Sequence, residues 1–307
     1  MLARAAPIRR GGAQGADWQA ERVRHPYECQ IRRADLHGDG TVGNVVYVDY
    51  LQEARLDLLR RHDTSPTPNP GEGLVVVRTV VDYVRPIRLA DAPLLVDTWV
   101  CELRAASFTV AYELRSEAGV HARATTVLTP FVFGTGRPRR LTADERARLE
   151  TTAGEPPFAD DRRDRPAAWS EEAYRRPIQV RFSDVDLLGH VNNVRYFDYV
   201  HEAQVDVMTG VFQGARISGT VDMVVARSEM DHVGQMNVRP EPYDVWSRVA
   251  AVGHTSVTFE SEIRDGERVM ARSRVVEVSV DEDGHPLPHH PRHLELFEQR
   301  IAAGQGR

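Results

Sequence analysis

Apolar residues recur at helical spacing in two stretches of the chain: Val48, Leu51 and Leu58 within 44–61, and Tyr196, Val200 and Val207 within 192–208. A short alternating segment precedes each, at 27–33 and 177–183, and runs rich in β-branched residues follow. After the first helix these are LVVVRTVVDYV, LLVDTWVCELR, SFTVAYELRS and HARATTVLTPFVF; after the second, MVVARSEMDHV, YDVWSRVAAVG, SVTFESEIRD and RVMARSRVVEVSV. Such runs predict strands with one or both faces covered. Each half of the chain therefore reads as strand, long helix, then antiparallel meander.

The halves are copies in one register. Asn44 and Asn193 stand 149 positions apart, and so do Glu53 and Glu202. The same offset carries Arg78 onto Arg227, Asp82 onto Asp231, Ser107 onto Ser256, Glu113 onto Glu262 and Arg123 onto Arg272, with Trp99 falling close to Trp246. A gapless register this long points to duplication of a whole domain rather than a solenoid of short units. The segment from Gly134 to Pro177 is charged and punctuated by proline, with a short helix predicted after Thr142. The expected organisation is an arm at 1–24, domains at 25–140 and 175–290, a linker at 141–174 that lets them dock flank to flank, and a tail at 291–307.

Composition narrows the function. A chain of 307 residues with 41% hydrophobic content can bury two domain cores. No apolar run approaches the ~18 residues of a membrane helix, and the arginine-rich N-terminus lacks the apolar centre of a secretory signal. Net charge is -6, and no long basic stripe stands ready to neutralise a phosphate backbone, so nucleic acid is not the expected partner. All 39 basic residues other than histidine are arginine, which removes Schiff-base lysines and the lysine of a phosphate loop. Cys29 and Cys101 form no disulfide framework, in keeping with a reducing cytoplasm, and the Ala, Arg, Val and Asp content suits a bacterial source.

The candidate chemistry sits just before each helix. RFSDVDLLGHVNNVRYFDYVHEA spans 181–203, and an altered copy, RRADLHGDGTVGNVVYVDYLQEA, spans 32–54. A helix start supplies free N–H groups and the positive end of a dipole, which suit a developing oxyanion, and a carboxylate a few residues ahead suits a base or nucleophile. Asp186 occupies that place. Asn192 and Asn193 are good N-cap types, and Asp184 is a short acid suited to holding the loop through backbone hydrogen bonds. In the first copy His37, Thr41 and Gly43 replace Asp186, His190 and Asn192, while Asp35, Gly40 and Asn44 persist.

A loop reading D-x-D-x-x-G-H-V-N-N, a helix reading Y-x-x-Y-x-x-E-A and a four-strand meander resemble the hotdog-fold acyl-CoA thioesterases, the group that includes 4-hydroxybenzoyl-CoA thioesterase. The resemblance covers nearly all of both repeats. It implies an α+β fold of two tandem hotdogs, each a long helix wrapped by a curved antiparallel sheet. They would pair within one chain as in the plant acyl-ACP thioesterases, with the active site at the shared interface. It places the catalytic carboxylate on Asp186 and the backbone oxyanion donor near Asn193. It also gives His190 a place at the thioester, with Gly189, Asn192 and Tyr196 lining the substrate. The plant enzymes carry asparagine where this chain has Leu188.

Three functions follow: hydrolysis of an acyl-CoA, hydrolysis of an acyl-ACP, or non-catalytic binding of an acyl thioester; the acid and histidine arrangement of hotdog hydratases is not recognisable. Asp186 attacks the carbonyl or activates water, and His190 contacts substrate or supports the loop. A second site is expected at most as an accessory, with His37 as base, Asp35 as orienter and Asn44 at the helix start. Glu53 and Glu202 are expected in ion pairs or at the neighbouring domain. The tail histidines His285, His289, His290 and His293 read as solvated, so no metal is implied; no cofactor is called for, and a homo-oligomer of double-hotdog chains is expected.

Overall fold

The computed structural model describes residues 24–61, 71–159, 169, 173–187, 189–213, 223–281 and 283–305. The first repeat contains β1 (His25–Cys29), α1 (Asn44–Arg61), β2 (Glu72–Tyr83), β3 (Leu94–Leu103), β4 (Phe108–Ser116) and β5 (Gly119–Val132). A short β6 (Arg137–Pro138) and α2 (Ala143–Glu150) lead to the second repeat: β7 (Tyr174–Ile178), α3 (Arg195–Gln213), β8 (Met223–His232), β9 (Tyr243–Val252), β10 (Ser256–Asp265) and β11 (Arg268–Ser279). The last element is α4 (Pro291–Gln305).

Among the described residues the strands form one sheet in the order β1-β3-β4-β5-β2-β8-β11-β10-β9-β7, with β6 pairing on β5. Each repeat thus contributes a five-strand hotdog sheet, and α1 buries Leu51, Ala54 and Leu58 in the main core. Each such leucine contributes about 1.5–3 kcal/mol of hydrophobic burial. The repeats join where β2 runs antiparallel to β8, with Arg78 opposite Asp231, Val80 opposite Glu229 and Asp82 opposite Arg227. Because the Arg78–Asp231 pair is the image of the Asp82–Arg227 pair under the 149-residue offset, the joint has a pseudo-twofold axis beside Val80 and Glu229. One face of the joint carries Arg78 between Glu229 and Asp231, and Arg227 between Asp82 and Glu229.

The linker helix begins where the sequence places it, capped reciprocally by Thr142 and Glu145. The chain beyond it lies on the first repeat's sheet, with the Val100 N–H donating to Thr152 and the Trp99 indole to Glu155. Several expectations shift. The segments expected as strands at 27–33 and 177–183 form strands earlier, then close into 3-10 turns at Arg33–Asp35 and Phe182–Asp184. The cause is local, since Asp35 and Asp184 accept the Arg32 and Arg181 N–H groups. Trp99 and Trp246 are not register equivalents: Trp99 faces Ala111, whereas Trp246 faces Glu262, whose counterpart Glu113 faces Asp97.

The solvated tail is a further correction. Pro291 opens α4 at the position where a missing N–H costs nothing, and Phe297 is fully buried against Val207, Val211 and Phe259. His289 is buried beside it and shares a hydrogen bond with Ser279, and His293 is buried as well. His285 stays exposed, grouped with Asp281 and Asp283 in a loop where Asp281 accepts the N–H groups of Asp283 and His285. Residues 1–23 of the N-terminal arm and Leu188 lie outside the described residues.

Candidate active site at the seam between the repeats

The two pre-helical loops match bond for bond. In the second, Asp186 N–H donates to the His190 carbonyl at 2.8 Å, Gly189 N–H to the Asp186 carbonyl at 3.0 Å and Asn192 N–H to the Asp184 carbonyl at 2.8 Å. In the first, His37 donates to Thr41, Gly40 to His37 and Gly43 to Asp35 at 2.7, 3.0 and 3.1 Å. Gly40 and Gly189 adopt φ of 80° and 77°, the left-handed conformation this tight turn requires. Asp35 and Asp184 each accept a tyrosine hydroxyl from the following helix, Tyr50 and Tyr199. They are loop braces, and in the first repeat no hydrogen bond joins Asp35 to His37 among the described residues.

What differs is the chemistry mounted on this shared backbone. The second repeat presents Asp186 at the turn, with the His190 ring lying 5.3 Å from that of Phe133 in the first repeat. Asn192 caps the chain entering α3 by accepting the Val194 N–H at 3.0 Å. The Tyr196 hydroxyl donates to the Gly234 carbonyl and accepts the Met236 N–H, and the residue is buried in the core. The Asn193 backbone N–H makes no hydrogen bond among the described residues and stands just ahead of α3. In the first repeat the His37 ring occupies the space above Gly43, where a side-chain carbon would come within 2.6 Å of its Nε2. Asn44 starts α1, and its carbonyl accepts the Tyr83 hydroxyl.

Each site borrows from the other repeat. His201 of α3 lies within electrostatic reach of His37, and burial holds its pKa below the ordinary value. Arg55 of α1 reaches the second site, where its Nη2 stands 3.5 Å from the Asn193 Oδ1. His232, at the end of β8, lies edge-on to Tyr196 at 4.7 Å between ring centres. Burial, helped by the Arg55 charge, pushes its pKa down to about 3, so it is neutral. Sequence reasoning missed Arg55 and His232. The available signal was an arginine on the inward stripe of α1, between Leu51 and Leu58, with its 149-offset partner Gln204 uncharged. Of the helix acids, Glu202 pairs with Arg176 while Glu53 is exposed.

The sequence profile of the thioesterase-like superfamily matches residues 33–174 and 180–297. Among solved structures, a putative oleoyl thioesterase from Lactobacillus plantarum superposes with a TM-score of 0.71 at 16% identity, covering 86% of this chain and 99% of its own. The 12:0-ACP thioesterase of Umbellularia californica gives 0.70 at 17% identity, covering 83% and 97%. An uncharacterized protein of Bacillus subtilis, YsmA, is 31% identical over 85 residues, which are 27% of this chain; the chain spans about half (54%) of that relative's length. No helix among the described residues is long and apolar enough to cross a membrane. With both repeats matched by the profile and the double-hotdog architecture present throughout, the chain belongs to the thioesterase-like superfamily.

Proposed function

We propose that the protein hydrolyses an acyl thioester, carried by CoA or ACP, to free acid and thiol at a single site around Asp186. The observation that carries this reading is the pairing of Asp186, held at a glycine-closed turn, with the unbonded Asn193 N–H at the start of α3. A thioester carbonyl directed at that N–H would develop its negative charge at the positive end of the helix dipole. Asp186 then attacks the carbonyl carbon, expelling the thiolate and leaving an anhydride that water opens, or it takes the proton from an attacking water. His190, leaning on Phe133, and Gly189 would border the thioester. Asn192 serves the cap, and the ring of Tyr196 the wall.

The first-repeat loop keeps the backbone and loses the carboxylate, which supports one productive site per chain. The test is release of free thiol from acyl-CoAs and acyl-ACPs of graded length by the wild type and by Asp186→Asn. Thiol release that depends on Asp186 supports the reading. Tight acyl-CoA binding without thiol release would instead identify a binding protein.

A further inference from the structure

Two arginines of the first repeat are equally buried, each 5% exposed, and they are treated very differently. Arg78 lies between two carboxylates, Glu229 at 2.8 Å and Asp231 at 3.0 Å. Arg55 has no carboxylate partner among the described residues, and its one hydrogen bond is the long contact to Asn193. Around it are further polar groups without an acceptor. The Asn193 Nδ2 is buried and unpaired, and so is the His232 Nε2. His232 is deeply placed, although the residue as a whole keeps part of its surface accessible. Burying a cation without its counter-charge costs several kcal/mol, so the missing negative charge is expected from a ligand.

The first repeat's own site lacks this arrangement. At the positions matching Arg55 and His232 it has Gln204 and Tyr83, and the Tyr83 hydroxyl is satisfied by Asn44 and Ser228. The cationic pocket therefore belongs to the Asp186 site alone. Asn193 links the two features: its backbone N–H faces the reacting carbonyl in the proposed mechanism, and its side chain touches Arg55. A group received by Arg55 would belong to the acyl portion, close to the thioester, because Arg55 and the Asn193 Nδ2 are buried, whereas the charged phosphates of a carrier are suited to the solvated surface.

We infer that the acyl group taken by this site carries a carboxylate of its own, received at the seam by the Arg55 guanidinium, the Asn193 amide and the His232 imidazole. The substrate class is the half-thioester of a short dicarboxylic acid, a reading that rests on the proposed hydrolysis. Charge-assisted hydrogen bonds to a desolvated carboxylate are the strong kind, and guanidinium geometry suits them. The reaction that supplies the substrate must then leave or install a second acid on the acyl chain.

The test compares kcat/KM for succinyl-CoA and glutaryl-CoA with that for butyryl-CoA and valeryl-CoA, in the wild type, Arg55→Gln and Arg55→Lys. The wild type should favour the carboxyacyl substrates by tenfold or more. Arg55→Gln should cut that ratio at least tenfold, mainly through KM, and Arg55→Lys should retain part of it. A ratio that Arg55→Gln leaves unchanged, or a wild type that prefers butyryl-CoA, overturns the inference. Glutarate binding by calorimetry separates the two readings. Arg55-dependent binding of glutarate with no thiol release from any thioester sinks hydrolysis and keeps the pocket, whereas thiol release without Arg55-dependent preference sinks the pocket alone. Butyrate binding as tightly as glutarate would assign Arg55 to the product carboxylate and also overturn it. Removal of an uncompensated charge should leave the thermal midpoint unchanged or raised, so loss of folding is not the expected outcome.

Discussion

Arg78 of the first repeat donates to Asp231 of the second at 3.0 Å, and the image pair Arg227 and Asp82 closes the same contact on the other side of the pseudo-twofold axis. Glu229, at the axis, accepts from both arginines, whereas its counterpart in the first repeat is Val80. Duplication has made one ion pair into two, each joining an arginine of one repeat to an aspartate of the other. One carboxylate now serves a joint that a symmetric dimer would furnish twice, so the two halves have diverged as parts of one molecule.

Arg78→Ala should destabilise the protein by about 3–5 kcal/mol, because it leaves Glu229 buried beside one arginine where two stood. Arg227→Ala should cost less, since that guanidinium is more exposed. Urea unfolding of both variants checks the order; equal, small losses would mean the joint is held by strand pairing and apolar contact alone.

Asp186→Asn should lower thioester hydrolysis by about 10²–10⁴ while the fold persists, the usual cost of one positioned acid or base. The loop's bonds among Asp186, Gly189 and His190 are backbone bonds and survive the change. Near wild-type turnover with a good substrate would remove Asp186 from the mechanism.

His37→Ala should leave most of the rate, and titration with a tight substrate analogue should count one site per chain. The His37 ring fills the space above Gly43, and burial holds the pKa of its neighbour His201 below the ordinary value. A loss as deep as that of Asp186→Asn, or two sites per chain, would mean the first copy has changed its chemistry instead of giving it up.

Glu277 sets a pH dependence of stability. It replaces Leu128 of the first repeat on the inner face of the sheet, and burial pushes its pKa up to about 7. The folded state holds this proton more tightly than the unfolded one, so stability is full below the unfolded glutamate pKa of about 4.3 and falls as pH rises through 7. The loss is on the order of 3 kcal/mol. Glu277→Leu should flatten the decline between pH 5 and 8 in denaturant titrations; an unchanged slope would assign the pH dependence to other groups.

Duplication, the two helices, the meanders and the linker helix were legible in the sequence because each rests on local periodicity, capping or a constant offset. Thr142 and Glu145 cap each other within one turn, and Asp186 sits beside its helix start through a few residues of chain. The tail was misread because proline and histidine dominate its composition, while Phe297 reveals its role only against Val207 and Phe259. Position in the chain says nothing of which repeat's helix faces which loop. That pairing is fixed by β2 meeting β8 about a twofold axis, which carries Arg55 across 138 residues to Asn193. The sequence by itself determined the fold, its doubling and the acid before the second helix. The tertiary structure decided that Arg55 of the other copy lies buried against Asn193, because burial and contacts between distant residues are properties of packing.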